Sequence, residues 1–382
     1  MYPHRGRVET AHLKRENRPG LQGKPRSRCS GALGGFLSTF KRRMLPRHGV
    51  RTRMVKKSWH SGGLKRLFEQ EWVRPLGTLL FVVVLATVFS PQRDGHLVFW
   101  QSRNLFNVLR QISEIGILAV GMTLVIITGG IDLSVGSLLA LASTLFAFTF
   151  VSHEWSLGVS LAIALLAATL FGLVSGVLIS RLRMQPFIAT LAVMTGSRGF
   201  AKWLVENKTI DFPMGEEYTA RVADFLARQS VVIPTFACIA LLGAILLNHT
   251  RFGRYAVAIG GSEEAARLSG IRVPRIKVGV YVISGFLAGI AGLLHCAQSH
   301  QGSSNAGISY ELDAIAAAVI GGTSLAGGKG GMLGTLVGAL ALGILSNLLG
   351  LRNVDENVQW MAKAVIIVIA VWLQIVGVKK KG

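Results

Sequence analysis

Long apolar runs separated by short polar loops fill the sequence from about residue 72 to its C-terminal end. A helix needs about 20 residues to cross the hydrocarbon core of a bilayer. Because lipid offers no partner to backbone N–H and C=O groups, and the alternation of a transmembrane barrel is absent, each run must form a helix. The sequence therefore predicts an all-α, polytopic membrane protein with about ten transmembrane helices. The predicted helices are approximately 72–90, 111–128, 133–151, 156–179, 186–205, 230–248, 278–297, 312–326, 332–350 and 358–378.

Basic residues are concentrated at the N-terminus, where residues 1–74 hold 19 Lys and Arg against 4 Asp and Glu. Residues 1–70 contain no continuous apolar stretch, and this composition predicts a disordered cytoplasmic tail. Met44 and Met54 are alternative starts, so part of the tail could precede the true beginning of the protein. No aromatic interleaving or folded module accompanies the charge, so nucleic acid is not a predicted partner. We expect residues 71–382 to form the membrane domain.

The distribution of Lys and Arg between the loops predicts the orientation of the chain. With the N-terminus in the cytoplasm, the even-numbered connections are cytoplasmic, and they carry more Lys and Arg than the odd-numbered ones. Arg181, Arg183, Lys329 and six basic residues in the loop 251–277 account for this excess, which satisfies the positive-inside rule. Both termini are then predicted to be cytoplasmic.

The residue patterns typical of metal sites and of catalysis are missing. Cys29, Cys238 and Cys296 lack the spacing of a zinc site or of a disulfide framework. The sequence has no HExxH, no GxSxG and no paired carboxylates in an apolar setting, and the lysine in GGKGG lacks the Walker A frame. We therefore predict a protein that is not an enzyme, that holds no metal or cofactor, and that does not hydrolyse ATP itself.

The loop 251–277 separates the sixth and seventh predicted helices. Within it we expect a short helix from Ser262 to Ser269, because Ser262 can cap its N-terminus and two glutamates favour the positive end of the helix dipole. Gly270 suits the left-handed residue that ends such a helix, and Pro274 prevents a long continuation. Two interpretations stay open, an ordinary ordered loop or a knob that docks into a partner protein.

The stretch GGIDLSVGS places Asp132 between two apolar runs. An acidic residue in such a position is costly and is a functional-site hypothesis by default. Asp132 can instead cap the following helix by accepting hydrogen bonds from backbone amides. Both interpretations stay open, and the candidate pathway residues here are Gly129, Gly130, Asp132 and Ser134.

A second interrupted run lies between Glu311 and Gly331. Glycine pairs break it at Gly321 and again at 327–328, which predicts a discontinuous helix that is buried in protein or lines a cavity. Both breaks, at Gly129 and at Gly321, follow an apolar run and precede a serine, and matching interruptions point to a transport pathway. The candidate pathway residues in this run are Gly321, Gly322, Thr323 and Ser324.

Three pairs of glycines recur at four-residue spacing within predicted helices. Such spacing lets two helix backbones approach closely. We expect these glycines to pack helices of the same chain together rather than to form a dedicated dimer face. The pairs are Gly172 and Gly176, Gly285 and Gly289, and Gly334 and Gly338.

Four longer motifs are VGMTLVIITGGIDLSVGSLLAL from Val120, QPFIATLAVM from Gln185, RFGRYAVAIGGSEEAARLSGI from Arg251 and YELDAIAAAVIGGTSLAGGKG from Tyr310. Together they resemble the permease subunits of ribose-type sugar ABC importers, which serve ribose, xylose, arabinose and galactosides. The resemblance runs from about Leu76 to Gly377 and thus covers almost the whole membrane region.

The resemblance implies a bacterial inner-membrane protein in which two permease copies, expected to be a homodimer, form the pathway within the membrane lipid. Two copies of an ABC ATPase subunit would bind beneath them, and a periplasmic sugar-binding protein would deliver a monosaccharide. The family's coupling helix, through which the ATPase switches the permease from inward- to outward-facing, corresponds by motif to a ten-residue stretch. The coupling residues implied are Gly261, Ser262, Glu263, Glu264, Ala265, Ala266, Arg267, Leu268, Ser269 and Gly270.

An ion-coupled secondary transporter of a small polar solute is the alternative. It would need acidic residues buried within helices, for which Glu114, Asp132 and Asp313 are the nearest candidates. A secondary transporter has no evident need for the capped helix at 262–269, which therefore favours the importer. The sequence does not name the sugar, and we expect the separate binding protein to provide much of the selectivity.

Overall fold

The computed structural model describes residues 73–93, 95–213, 215–355, 357–365 and 368. We number its helices and strands in chain order. The helices are α1 (Val73–Val88), α2 (Ser102–Ile127), α3 (Val135–Ala147, continued by a π-helical turn at Phe148–Ser152), α4 (Leu157–Ser180), α5 (Pro186–Leu204), α6 (Tyr218–Ala227), α7 (Gln229–His249), α8 (Arg251–Gly261), α9 (Glu263–Leu268), α10 (Val273–Ser299), α11 (Tyr310–Ile320) and α12 (Met332–Leu351). The strands are β1 (Gln92–Arg93), β2 (His96–Leu97), β3 (Ile210–Asp211) and β4 (Gln301–Gly302), and β1 pairs with β2 and β3 with β4, both antiparallel.

Helix α10 lies at the centre of the described fold and packs against α2, α3 and α4. In α2 and α3, 83% of the most apolar stretch is buried inside the protein, so these two helices form the interior. In α4 and α7 the corresponding shares are 33% and 28%, although both helices are apolar on all sides. Exposed leucines such as Leu166 on α4 and Leu241 on α7 therefore form outward surfaces suited to lipid.

The contact between α4 and α10 depends on glycines that let their backbones touch. A Cβ atom added to Gly172 would lie 2.5 Å from the Tyr281 carbonyl oxygen and 3.1 Å from the Gly285 Cα. A Cβ atom added to Gly285 would lie 2.6 Å from the Ala168 carbonyl oxygen. Gly338 brings α12 against the backbone of α11 in the same way. The prediction that these glycines pack helices of one chain together is confirmed.

Six helices of the described part are long and apolar enough to cross a membrane, namely α2, α3 with its π-helical turn, α4, α7, α10 and α12. The shorter apolar helix Leu76–Val88 adds to them, and α5 occupies the place of the fifth predicted segment. An all-α, polytopic membrane protein is thus confirmed. The number of ten spans stays a prediction, because most of the last predicted helix, 358–378, lies outside the described residues. The predicted tail, 1–70, lies outside them as well.

Three features differ from the sequence prediction. The helix predicted over 312–326 ends at Ile320, because Gly322 adopts a φ of +92° and turns the chain. The loop 251–277 holds a second helix, α8, before α9, and Pro274 lies in the first turn of α10. Helix α6 lies where a loop was expected.

Gly172→Ala is expected to destabilise the fold by about 1–3 kcal/mol, because the new methyl group would overlap the backbone of α10. Gly158→Ala, on the same helix, is the matched control, since no atom lies within 4 Å of a Cβ atom placed there. Alanine should be neutral or stabilising by about 0.5–1 kcal/mol at that position. Denaturation of both purified variants in one detergent measures the difference, and equal stability would contradict the close contact.

Candidate functional site

The two glycine breaks predicted from the sequence are the same helix-ending motif. At the end of α2, the Gly129 N–H donates to the carbonyl three residues before it at 2.9 Å, and the Gly130 N–H to the carbonyl five residues before it at 3.1 Å. At the end of α11, Gly322 and Thr323 make the same pair of bonds, both at 2.9 Å. Gly129 and Gly322 adopt φ values of +77° and +92°, the left-handed conformation that this motif requires. The internal similarity inferred from the sequence therefore has a structural counterpart.

Both breaks lead into one shared contact, which we call the glycine junction: Gly129, Gly260, Gly261, Gly327 and Gly328. The Gly328 N–H donates at 2.9 Å to the carbonyl of the last residue of α2. A Cβ atom added to Gly327 would lie 2.9 Å from the Gly260 carbonyl oxygen and 3.0 Å from the Gly129 nitrogen. The end of α2, the end of α8 and the loop after α11 are therefore in backbone contact, and a side chain at Gly260, Gly327 or Gly328 would disrupt this contact.

Helix α9 follows the glycine junction directly and has the predicted ends. The Ser262 hydroxyl accepts a hydrogen bond from the N–H three residues later at 3.2 Å, and Gly270 adopts a φ of +81°. A helix this short is unstable alone, so the caps and tertiary packing must hold it. Its buried residue, Ala266, packs with Ile259 and Val273 in a small apolar cluster separate from the main core. The predicted helix is confirmed, with a small core that the sequence pattern did not reveal.

Two ion pairs involve the remaining side chains of α9, and its one large apolar side chain, Leu268, is exposed. Lys277 Nζ on α10 donates to a Glu263 carboxylate oxygen at 2.6 Å, which ties the two helices together. Arg267 pairs with Glu264 one turn away. Leu268 is 81% exposed in this chain. A short, rigid helix with an exposed leucine at its end is suited to docking into a partner.

Asp132 is completely buried. Its Oδ1 accepts hydrogen bonds from the Ser134 N–H at 2.9 Å and the Ser134 hydroxyl at 2.6 Å, while Oδ2 accepts from the Ser284 hydroxyl at 2.8 Å. The neighbouring Ile131 carbonyl accepts from the Tyr281 hydroxyl at 3.2 Å. Asp132 thus accepts from a following amide, as a capping residue would, and also anchors the link between α2 and α3 to α10. Its role as a pathway residue stays a prediction.

The second group of pathway candidates lies in the loop after α11. Gly321 touches Gly334 of α12, where a Cβ atom on either residue would overlap the backbone of the other. The loop closes through a hydrogen bond from the Ser324 N–H to the Lys329 carbonyl at 2.9 Å, and Thr323 is buried beneath it. The structure joins this group to the first one through the glycine junction. Contact of either group with a substrate stays a prediction.

Sequence reasoning missed a non-helical stretch, residues 302–309, which we call the re-entrant segment. It begins at the last residue of β4 and leads into α11. Arg198 Nη1, from α5, donates to the Ser304 carbonyl at 2.8 Å and to the Ala306 carbonyl at 3.1 Å. The signals in the sequence were the polar run GSSNAGIS between two apolar runs, and an arginine inside a predicted membrane helix.

Acidic residues considered for an ion-coupled transporter have partners in the fold. Glu114 of α2 is buried, accepts from Gln298 Nε2 at 2.9 Å and pairs with His295 Nδ1 at 2.8 Å. Asp313 of α11 pairs with Lys363 Nζ at 2.9 Å. Buried polar groups in a membrane protein need such partners, so these contacts serve as cross-links between helices.

Within the described part of the chain, no group of three or more His, Cys, Asp or Glu could hold a metal ion. Interrupted helices and buried polar links inside a bundle of apolar helices define a multi-pass membrane transport protein. The family model described as "Branched-chain amino acid transport system / permease component" matches residues 104–372, and the chain belongs to this permease family.

Relatives of the chain are bacterial permeases. It is 42% identical over 315 residues to the ribose import permease protein of Escherichia coli K12. The aligned region covers 80% of this chain and 95% of that protein. It is 40% identical over 305 residues to the ribose import permease protein of Bacillus subtilis 168, covering 78% of this chain and 91% of that protein. The xylose transport system permease protein of Escherichia coli K12 is 33% identical over 371 residues, covering 81% and 93%. No solved structure matches the chain.

Asp132→Leu is expected to destabilise the protein by about 1–3 kcal/mol, because it leaves the Ser134 N–H and the Ser284 hydroxyl without their acceptor. Asp132→Asn should stay close to wild type, since its carbonyl can accept from Ser134 and its amide can donate to Ser284. Melting temperatures in detergent, measured with transport, test the difference. A leucine variant that melts normally but fails to transport would show that Asp132 acts on the substrate instead.

Proposed function

We propose that this protein is the membrane-spanning permease subunit of an ATP-driven importer that moves a monosaccharide into the cytoplasm. The substrate would be ribose or a related pentose, delivered by a periplasmic binding protein. The observation that carries the proposal is identity of 42% and 40% to two ribose import permeases across about four fifths of the chain. The family description names branched-chain amino acids, but the relatives named here transport ribose or xylose, which favours a sugar.

The proposed orientation places both termini in the cytoplasm of a bacterium, with ten helices crossing the inner membrane. Six apolar spans in the described residues and the excess of Lys and Arg in 251–277 support this arrangement. In this orientation α9 and the glycine junction lie on the cytoplasmic side. The paired strands β3 and β4 and helix α6 lie on the periplasmic side, where the binding protein would dock.

Helix α9, within Gly261–Gly270, would transmit the action of a separate ATPase subunit. Its caps and the Lys277–Glu263 ion pair make it rigid, and Leu268 offers an apolar side chain to a pocket of the partner. ATP-driven closure of the ATPase would displace α9 and, through Gly260, the glycine junction. A ligand shifts such a two-state equilibrium only through contacts that differ between the states. We propose the packed backbone of the junction as the route by which this displacement travels.

The transport function is proposed for residues 71–382, acting with a second copy of the same chain. The family match to 104–372 lies wholly inside this range. Two copies would bring two sets of coupling helices and pathway segments around one route. Residues 1–70 are not assigned a part in transport, and a chain that lacks residues 1–53 is expected to transport normally.

Leu268→Asp is expected to reduce sugar uptake at least tenfold and to weaken co-purification of the ATPase subunit. Burying a leucine at an interface contributes about 1.5–3 kcal/mol, and each 1.4 kcal/mol is a factor of ten in affinity. Leu182→Asp, at an exposed leucine in the loop between α4 and α5, is the matched control. Uptake and co-purification are measured on the assembled importer in lipid discs and vesicles. Normal uptake by the Leu268 variant at normal membrane levels would refute the coupling assignment.

Uptake of radiolabelled ribose by cells that express the importer is expected to depend on ATP and to fall in the presence of an unlabelled pentose. An excess of leucine should have no effect, and neither should a protonophore that leaves cellular ATP unchanged. Inhibition by leucine would indicate that the substrate is an amino acid rather than a sugar. Collapse of uptake with the protonophore would support the ion-coupled alternative and direct attention to Glu114 and Asp313.

A further inference from the structure

The re-entrant segment runs down the side of α3 for a large part of its length. It begins at Gly302, where a Cβ atom would collide with Ala147, and it reaches Gly307, where a Cβ atom would lie 2.8 Å from the Gly136 carbonyl oxygen. Both positions on α3 belong to one continuous helix, Val135–Ala147. Gly302 also lies against the Ser143 carbonyl and Gly307 against the Leu139 side chain, so their separation along α3 is about 6–16 Å at 1.5 Å per residue. The segment therefore extends beside α3 for at most about half the thickness of a hydrocarbon core of about 30 Å.

The re-entrant segment is held in a defined conformation rather than lying loosely on the surface. Arg198 satisfies two of its carbonyl groups, and Ser304 is 3% exposed. Gly307 and Ser309 adopt φ values of +63° and +68°, so the chain makes two left-handed turns before α11 begins. A left-handed conformation at a serine is uncommon and persists only where the surroundings impose it.

One side of the segment is open. Asn305 is exposed and Ile308 is 49% exposed, whereas Ala306 between them is 8% exposed. Lipid-exposed irregular backbone does not occur within the hydrocarbon region, where such backbone is tolerated in protein or beside a water-filled cavity. A polar side chain at this depth likewise faces a protein interior or a cavity. The open side of the segment is therefore suited to face a water-filled cavity or a second copy of the chain, and the Asn305 amide favours the cavity.

We propose that the re-entrant segment forms the wall of the sugar pathway in the periplasmic half of the membrane, with Asn305 in contact with the sugar and Arg198 as a positioning residue. This inference rests on the proposed function and adds the residues that meet the substrate. It also gives a role to the charged residue in α5, since the Arg198 Nη1 group satisfies two carbonyl groups of the segment.

The chemistry of Asn305 fits a neutral sugar. Its amide offers an acceptor oxygen and two donor hydrogens, which match the neighbouring hydroxyl groups of a pentose. Neutral hydrogen bonds are worth about 0.5–1.5 kcal/mol each in exchange with water. Hydrogen bonds of this strength can discriminate between sugars with different hydroxyl arrangements. They are weak enough for the sugar to dissociate and continue along the pathway.

Cysteine labelling of the complete importer in membrane vesicles tests the open side. The parent carries Cys29→Ser, Cys238→Ser and Cys296→Ala, and each test variant adds one cysteine. A charged, membrane-impermeant methanethiosulfonate is added from the periplasmic side. Asn305→Cys is expected to react at least tenfold faster than Ala306→Cys, and its charged adduct should stop uptake. Gln101→Cys, exposed at the start of α2, should react without loss of uptake.

The labelling separates this inference from the function on which it rests. No reaction at Asn305→Cys, or reaction without loss of uptake, would overturn the pathway assignment even if the parent imports ribose normally. A parent that imports a different solute would overturn the sugar assignment, whereas labelling at Asn305→Cys that blocks that solute would still support the pathway wall.

Two further variants test the separate roles of Asn305 and Arg198. Asn305→Ala is expected to change the ratio of ribose to xylose uptake at least threefold, while Gln101→Ala leaves the ratio unchanged. Arg198→Leu should make Ala306→Cys reactive towards the charged reagent, because both donors to the carbonyl groups of the segment are removed. An unchanged ratio in the first variant would refute the sugar contact. An unreactive Ala306→Cys in the second would refute the positioning role.

Discussion

Backbone N–H and C=O groups that lie within a bilayer must find partners inside the protein, and this constraint accounts for the structure of the breaks after α2, after α11 and before α11. The link after α2 and the loop after α11 begin with the same glycine motif, which satisfies the last carbonyls of the helix. The loop after α11 then uses Gly328 to donate to the end of α2. The re-entrant segment receives donors from Arg198 instead. At each of these breaks, nearby residues therefore form hydrogen bonds with the free backbone groups. Helix breaks within the membrane are expected only where such partners exist.

Glycine serves two different purposes in this fold. In the middle of helices, Gly172 and Gly285 have no side chain, so the backbones of α4 and α10 come into contact. At helix ends, Gly129 and Gly322 supply left-handed conformations. The glycine junction combines both properties, because Gly129, Gly327 and Gly328 turn the chain and lie in backbone contact with the end of α8. Such close packing leaves few flexible side chains between the segments, so in the proposed mechanism a displacement of α9 would reach the end of α2 and the loop after α11 as a rigid shift.

The sequence predicted the features that local chemistry encodes. The caps of α9 at Ser262 and Gly270, and the breaks at Gly129 and Gly321, depend on residues within one turn of the chain, so pattern reasoning located them. The re-entrant segment was missed because its donors come from Arg198, which is distant in sequence and adjacent only in the fold. Hydrophobic periodicity likewise does not show which polar side chains pair between helices, such as those that bond to side chains of α10. Helix α8 was missed because its glycine-rich sequence looks like a loop, although tertiary contacts override that propensity.

Helix α10 connects the parts of the candidate site that lie far apart. Near its start, Lys277 binds α9, and one turn later Tyr281 and then Ser284 hold the link that contains Asp132. Near its end, His295 pairs with Glu114 of α2, and the chain then continues through β4 into the re-entrant segment. Its 27 residues span about 40 Å, which exceeds the thickness of the hydrocarbon core. Glycine contacts along one side of α10 also hold it closely against α4, so we expect the two helices to move together. In the proposed mechanism, a displacement of α9 would tilt this pair of helices, and the end of α10 that leads into the re-entrant segment would move with it.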